Sequence, residues 1–224
     1  MKILSLAQTK EMLEQSQNPF FLYDNDADGF CSMVLLRRWL ERGSSEIVRS
    51  NPQVEERYAH TALDHKADLV VVLDRHSLSA SFVALLDAAN VPVLWIDHHV
   101  VEVPAFSDNV WYHNPHTLHL SPAPVTALCY RITKRKDDMW IAMMGCVADH
   151  YLPSFKTTFA QRYKGFWGRV KKPFDAYFDT EIGALAQAIG FGIKGHLGAV
   201  REIESFFIAC TSPENAQSEL ASES

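Results

Sequence analysis

Acidic and imidazole side chains gather at three places, each directly after a short apolar run. Phe20-Phe21-Leu22-Tyr23 leads into Asp24-Asn25-Asp26-Ala27-Asp28-Gly29. Leu69-Val70-Val71-Val72-Leu73 leads into Asp74-Arg75-His76, and Val93-Leu94-Trp95-Ile96 into Asp97-His98-His99. Near-continuous apolar runs of this length read as parallel strands buried on both faces. An open parallel sheet binds its ligands at the carboxyl ends of its strands, so these groups converge on one edge. Bare carboxylates crowded together repel, and a bound cation relieves that repulsion. Carboxylates mixed with imidazoles suit Mn²⁺, or another first-row divalent ion, better than Ca²⁺. The Asp-x-Asp-x-Asp-Gly run also opens a calcium loop. Such a loop needs a Glu at its twelfth position, which counted from Asp24 is Leu35. Taken singly, Asp28-Gly29 and Asp74 also fit helix caps, and the His pair fits a surface or core pair. Their joint occurrence after successive strands favours the ion.

The elements that must position these groups follow from the pattern. Residues 5–16, 29–42 and 78–89 have helical spacing. Residues 46–49 form a weak strand, and 110–112 a further one before Asn114-Pro115. Strand and helix alternate, which predicts an α/β fold: a Rossmann-like parallel sheet of about five strands flanked by helices over residues 1–120. Residues 121–210 form a mostly helical C-terminal part, with periodic segments at 123–134, 137–149, 181–190 and 197–210. Residues 211–224 are polar and lack aromatics, and are expected to be a frayed tail or the start of a linker. There are no internal repeats. The 224 residues, 47% hydrophobic and 21% charged, suit one large globular domain. A net charge of −6 excludes a globally basic nucleic-acid coat. No apolar run is long enough for a membrane span, and the apolar start is too short for a secretory signal. Cys31, Cys129, Cys146 and Cys210 form no C-x-x-C pair and sit in apolar surroundings. They read as reduced core thiols of a cytoplasmic protein, not as zinc ligands.

The chain resembles the DHH phosphoesterase superfamily and, within it, the RecJ-like nucleases. The family's named motif stands here as Asp97-His98-His99. Its first motif matches Asp24 to Gly29, its second Asp74, and its fourth, Gly-x-x-x-Asp, Gly145 to Asp149. Asn114-Pro115 followed by Ser121-Pro122-Ala123 is also similar. So is Gly190-Phe191-Gly192-Ile193-Lys194-Gly195, which looks like a later part of archaeal-type members. The resemblance implies two divalent ions, Mn²⁺ foremost with Mg²⁺ or Co²⁺ as alternatives. Asp24 and Asp26 resemble ligands of one ion, Asp28, His98 and Asp149 ligands of the other, and Asp74 the carboxylate bridging both. His99 resembles the histidine that faces the substrate phosphate, and Asp97 a residue that orients a histidine. His99, Asp74 and Asp97 are thus the implied catalytic set. Family II pyrophosphatases place a His where Leu22 stands, which favours the RecJ-like branch.

The implied function is a metal-dependent phosphodiesterase that acts on single-stranded nucleic acid or short oligonucleotides through water activated between two ions. Rival readings are a hydrolase of small phosphoanhydrides or cyclic dinucleotides, and a non-enzymatic binding subunit on the same scaffold. His76, after the bridging Asp, is a further candidate for the phosphate. His113, His116, His119 and His150 are weaker candidates. Residues 156–172 interleave Lys156, Arg162, Lys164, Arg169, Lys171 and Lys172 with aromatics, a mixture that suits a nucleic-acid backbone and its bases. Lys164 and Arg169 are the substrate contacts expected there, against the plainer reading of a solvated face with core aromatics. Most members carry a second, Gly-rich domain that this sequence does not show. A partner chain or that domain is expected to complete the cleft.

Overall fold

The apolar runs pair into one six-stranded, wholly parallel sheet: β1 (Lys2–Ile3), β2 (Pro19–Asp24), β3 (Ser44–Val48), β4 (Leu69–Leu73), β5 (Val93–Ile96) and β6 (Val110–His113), in the order β1-β6-β5-β4-β2-β3. The computed structural model describes residues 1–102 and 104–222, with side chains up to Glu219. Register decides where the chemistry lands. Tyr23 pairs with Leu73, and Leu73 with Ile96. The next residues, Asp24, Asp74 and Asp97, therefore leave the sheet side by side. The ladder runs on past them, with Asp74 N–H donating to Ile96 O (3.0 Å) and Asp97 N–H to His113 O (3.0 Å).

Alternation along each strand divides the core into two. Phe20, Leu22, Val70, Val72, Val93 and Trp95 face α3 (Glu56–Asp64) and α4 (Ala80–Ala88). Phe21, Tyr23, Val71, Leu73, Leu94 and Ile96 face α1 (Leu6–Gln15), α2 (Ala27–Leu40), α5 (Val125–Thr133) and α6 (Met139–Ala148). Further helices complete that layer: α7 (Lys156–Arg162), α8 (Pro173–Phe178), α9 (Glu181–Gly192) and α10 (Leu197–Ala209). No helix among the described residues is long and apolar enough to cross a membrane.

Two differences from the sequence reading have local causes. Helix α3 escaped it because it is short and polar overall, although Tyr58, Ala59 and Ala62 form a buried stripe that Leu63 flanks. The polar tail is not frayed. Residues Pro213–Ser222 form α11, started by Ser212, whose Oγ accepts from Asn215 N–H (3.3 Å). The helix is seated by fully buried Ala216 and by Gln217 donating to Glu181 (2.6 Å). Among the described side chains the buried ones are Pro213 and Ala216, too little apolar surface for composition to reveal the docking. Residues 223–224 of the expected tail lie outside the described residues.

Helix α6 must approach α2 and α5 closely to bring its C-terminus to the sheet edge. A Cβ at Gly145 would collide with Thr126 Oγ1 and lie 2.9 Å from Cys31 Cβ. Overpacking of this kind costs about 1–3 kcal/mol. Gly145→Ala is expected to lower the melting temperature by ~2–4 °C for each kcal/mol lost. An unchanged melting temperature would mean that α6 can move aside freely.

Candidate metal centre

Motif one is built by the junction of β2 and α2. Asp24 closes the strand, and its Oδ1 accepts from Asn25 N–H (2.8 Å). Asp26 is the N-cap of α2, its Oδ1 taking Gly29 N–H (2.9 Å), which satisfies a helix-terminal donor. Gly29 is required by proximity, since a Cβ there would lie 2.6 Å from Asp24 N. Asp28, buried in the first turn, serves a different helix. Its Oδ2 accepts from Val125 N–H and its Oδ1 from Thr126 N–H, both at 2.8 Å, so it caps α5 from outside. Thr126 Oγ1 donates in turn to Asp28 O (2.9 Å).

Asp74, at the end of β4, has a left-handed backbone (φ 60°), a conformation that Asp tolerates better than most residues. Arg75 follows it and is buried. Its Nη1 pairs with Asp24 Oδ1, and its Nη2 donates to Ser50 O (2.7 Å) and Pro52 O (3.2 Å). Trp95 Nε1–H holds the Arg75 carbonyl (2.6 Å). Sequence reasoning passed over Arg75, although its place directly after Asp74 was a usable signal. After β5, fully buried Asp97 accepts from His99 Nδ1 (2.7 Å), which leaves His99 Nε2 free. Asn114 Nδ2 donates to His99 O (3.0 Å) and so ties Asn114-Pro115 to this loop. Asp149 caps the C-terminus of α6.

These side chains form three overlapping triplets, each with its ligand atoms within 4.8 Å of one another: Asp24, Asp26 and Asp74; Asp28, His98 and Asp149; Asp74, His98 and His99. His98 Nε2 lies 3.2 Å from Asp74 Oδ1 and 4.0 Å from Asp28 Oδ2, while its Nδ1 lies 3.8 Å from Asp149 Oδ2. Asp74 links the first triplet to the third. Its Oδ1 is buried without a hydrogen-bond partner among the described residues. A buried, unpartnered carboxylate oxygen costs free energy unless a cation meets it, so the donor set fits divalent ions.

Electrostatics support the same reading. Burial, then Asp26 and Asp149, push the Asp28 carboxyl up to about 8. Burial, then Asp28 and Asp26, hold Asp74 well above the carboxylate range. Burial also raises Asp26 and Asp149. The hydrogen bond to Asp97 is the main cause that raises His99.

The other expected residues divide. The His76 ring stands 5.7 Å from that of His99, at the edge of the centre. His113 is a core histidine, 1% exposed, with Nδ1 bonded to Leu4 O (2.9 Å). His116 and His119 are exposed on the loop after it. His150 packs against Phe174, Tyr177 and Phe178. Within 156–172, Phe159, Phe166 and Trp167 are buried core and Arg162 pairs with Asp137 (2.6 Å). Lys164 and Arg169 are exposed, and neither lines the cavity beside the carboxylates. Lys194 does line it, and its Nζ donates to Asn25 O. The signal for Lys194 lay in the run Gly190 to Gly195.

The family model for the N-terminal domain of the DHH family matches residues 20–150, more than half of the chain. The chain belongs to the DHH family. No curated protein matches this sequence. Among solved structures, an exonuclease RecJ bound to manganese superposes with a TM-score of 0.69 at 18% identity, over 99% of this chain and 65% of that one. RecJ of Thermus thermophilus in complex with Mn²⁺ gives 0.60 at 17% identity, over 97% and 36%. A DHH domain described as belonging to a family of ribosomal proteins gives 0.67 at 15% identity, over 97% and 57%. This DHH chain thus spans about two thirds or less of the length of these structures, and they share its fold: a parallel sheet flanked by helices with a helical C-terminal part.

The raised carboxyls of this DHH domain set a pH dependence. A carboxyl raised on folding binds more protons in the native than in the unfolded state, so its contribution falls as pH climbs toward its folded value. His99, raised on folding, acts in the same direction. In a chelator, the melting temperature is therefore expected to fall as pH rises from about 4 to about 8, the value to which Asp28 is raised. Excess Mn²⁺ should raise it more at the higher pH, because ligands must be deprotonated to bind. A flat or rising profile in the chelator would contradict the burial of uncompensated carboxylates.

Proposed function

We propose that this domain is a metal-dependent phosphodiesterase that hydrolyses phosphodiester bonds of single-stranded nucleic acid or short oligonucleotides. The observation that carries the reading is Asp74, which belongs to two of the three ligand groups and whose Oδ1 is buried without a hydrogen bond among the described residues. Asp24, Asp26 and Asp74 would hold one ion, and Asp28, His98, Asp149 and Asp74 the other. Mn²⁺ suits these oxygen and imidazole donors best, with Mg²⁺ or Co²⁺ as substitutes. Such ions supply an activated water and a clamp on the phosphoryl oxygens.

The chain's own residues do the rest. Asp97 fixes the His99 ring through Nδ1 and favours its protonated form, so Nε2–H can donate to a non-bridging phosphate oxygen. His76 flanks it. Asp28, held by two backbone N–H groups, keeps its carboxylate from turning. A covalent cysteine route is disfavoured, because burial raises the thiols of Cys31, Cys129 and Cys146 far from thiolate. Lys164 and Arg169 remain proposed contacts for a longer strand. The exonuclease RecJ structures support nucleic acid as the partner, and their greater length supports a second domain or partner chain over the open side. Four buried free thiols support a cytoplasmic setting.

A Mn²⁺ activity panel over single-stranded DNA, single-stranded RNA, dinucleotides, cyclic dinucleotides and pyrophosphate tests this reading. Cleavage of strands or dinucleotides that a chelator abolishes is expected, and turnover confined to pyrophosphate would overturn it. His99→Ala should keep its ions and lose about 10²–10³-fold in turnover. His98→Ala should weaken ion binding directly, and equal ion loss in both variants would contradict this division of roles. Asp74→Asn should lose at least one ion by metal analysis. Full occupancy in that variant would remove Asp74 as the bridge.

A further inference from the structure

Between the carboxylates and α9 lies a cavity of about 330 Å³, and the reaction described above uses its acidic side but not its α9 side. Asp26, Asp28 and Asp149 form one wall, and Gln187, Gly190 and Phe191, on one face of α9, form the other. We infer that this cavity is a nucleoside subsite, which takes the base and sugar of a nucleotide whose phosphate lies at the carboxylate edge. The inference rests on the phosphodiesterase reading and narrows its substrate to nucleotides.

Four observations carry it. Phe191 is 80% exposed, far more than other large apolar side chains of the helical part, and it stands at the cavity rim. An aromatic face left in water beside a catalytic edge suits a stacking base. Tyr177 supplies a second ring to the lining and is held from behind by His150, whose ring centroid lies 5.2 Å away. Gln187 donates through Nε2 to Tyr177 O (2.8 Å) and Gly183 O (3.3 Å). That fixes the amide and leaves Oε1 as an acceptor without a partner among the described residues. Finally, a Cβ built on Gly190 meets nothing within 4 Å, so the helix leaves open room there.

The rest of the lining suits a base and sugar better than a further phosphate. Once Asp26, Asp28 and Asp149 hold ions, the cation left in the lining is Lys194, which already donates to Asn25 O. The acceptor Gln187 Oε1 matches the donors a nucleoside offers: sugar hydroxyls and exocyclic amino groups. Ala27, Ala148 and Ala186 complete an apolar floor.

The test is a binding comparison by calorimetry on the full chain in Mn²⁺, with adenosine 5′-monophosphate against ribose 5-phosphate, which lacks the base. The wild type should favour the nucleotide by about tenfold or more, the usual effect of stacking one base. Phe191→Ala and Gly190→Leu should each bring that ratio close to one, with Mn²⁺ uptake unchanged. Gly190→Leu places its Cβ in open space and improves helix propensity, so the variant should melt at or above the wild-type temperature. Equal or undetectable affinities of the wild type for the two ligands overturn the subsite. So does a ratio that survives both variants. If no phosphodiester is cleaved in the activity panel, the phosphodiesterase reading falls while the binding comparison still decides the subsite.

Discussion

Like charge, buried at one edge of a sheet, is the constraint around which this molecule is arranged. Asp24, Asp26, Asp28, Asp74, Asp97 and Asp149 all belong to that edge, and three of them are almost wholly buried. The chain disperses the cost by giving several of them a protein partner. Arg75 answers Asp24, two α5 N–H groups answer Asp28, Gly29 N–H answers Asp26 and His99 answers Asp97. Asp74 Oδ1 has no hydrogen bond among the described residues, only the His98 ring 3.2 Å away, and Asp74 belongs to two of the ligand groups. A site organised in this way holds its carboxylates in place before any cation arrives. That preorganisation lets a bound ion act without rearranging its ligands.

The fold supplies rigidity from elements far apart in sequence. The sheet register aligns three strand ends, and the Gly145 contact sets how closely α6 lies on α2. Arg38, from α2, pairs with Asp138 (2.8 Å) and donates to Phe207 O and Ile208 O (both 3.0 Å) and Cys210 O (2.6 Å) at the end of α10. Glu204 of α10 accepts from Tyr23 Oη (2.5 Å) and Ser45 Oγ (2.7 Å). The helical part is therefore bolted to the sheet both at its base and beside motif one. The α9 wall of the cavity is placed by its own packing on α6 and α8.

How much of this was legible in the sequence depended on whether the signal was local. Apolar runs that stop at aspartate are local, and the parallel sheet and its acid edge followed from them. The Gly145-to-Asp149 spacing marked a helix end as part of the same site. Arg75 was not legible in that way, because its meaning lies in a contact with Asp24, 51 residues earlier. His113 stood among the weaker candidates for the substrate beside Asn114-Pro115, yet it is a core residue whose carbonyl partner Leu4 lies 109 residues away in the chain. The basic and aromatic segment 156–172 mixes two signals that only packing separates: Phe159, Phe166 and Trp167 turn inward, while Lys164 and Arg169 remain in solvent. Helices α3 and α11 are short and polar overall, and the few side chains they bury among the described residues, such as Ala59, Ala62 and Ala216, add little to the local hydropathy.

Asp28 gives this arrangement an asymmetry in how it can decay. Its carboxylate starts α5, so the helical half of the molecule needs it whether or not anything is hydrolysed. Asp149 and His98 have no comparable structural employment. A descendant that abandoned chemistry to become a scaffold would shed Asp149 and His98 early and keep Asp28 for folding alone. Retention of the Asp-x-Asp-x-Asp-Gly signature in a related chain is then poor testimony of an active enzyme, and the informative positions are the less conspicuous ones at the end of α6 and in the middle of Asp97-His98-His99.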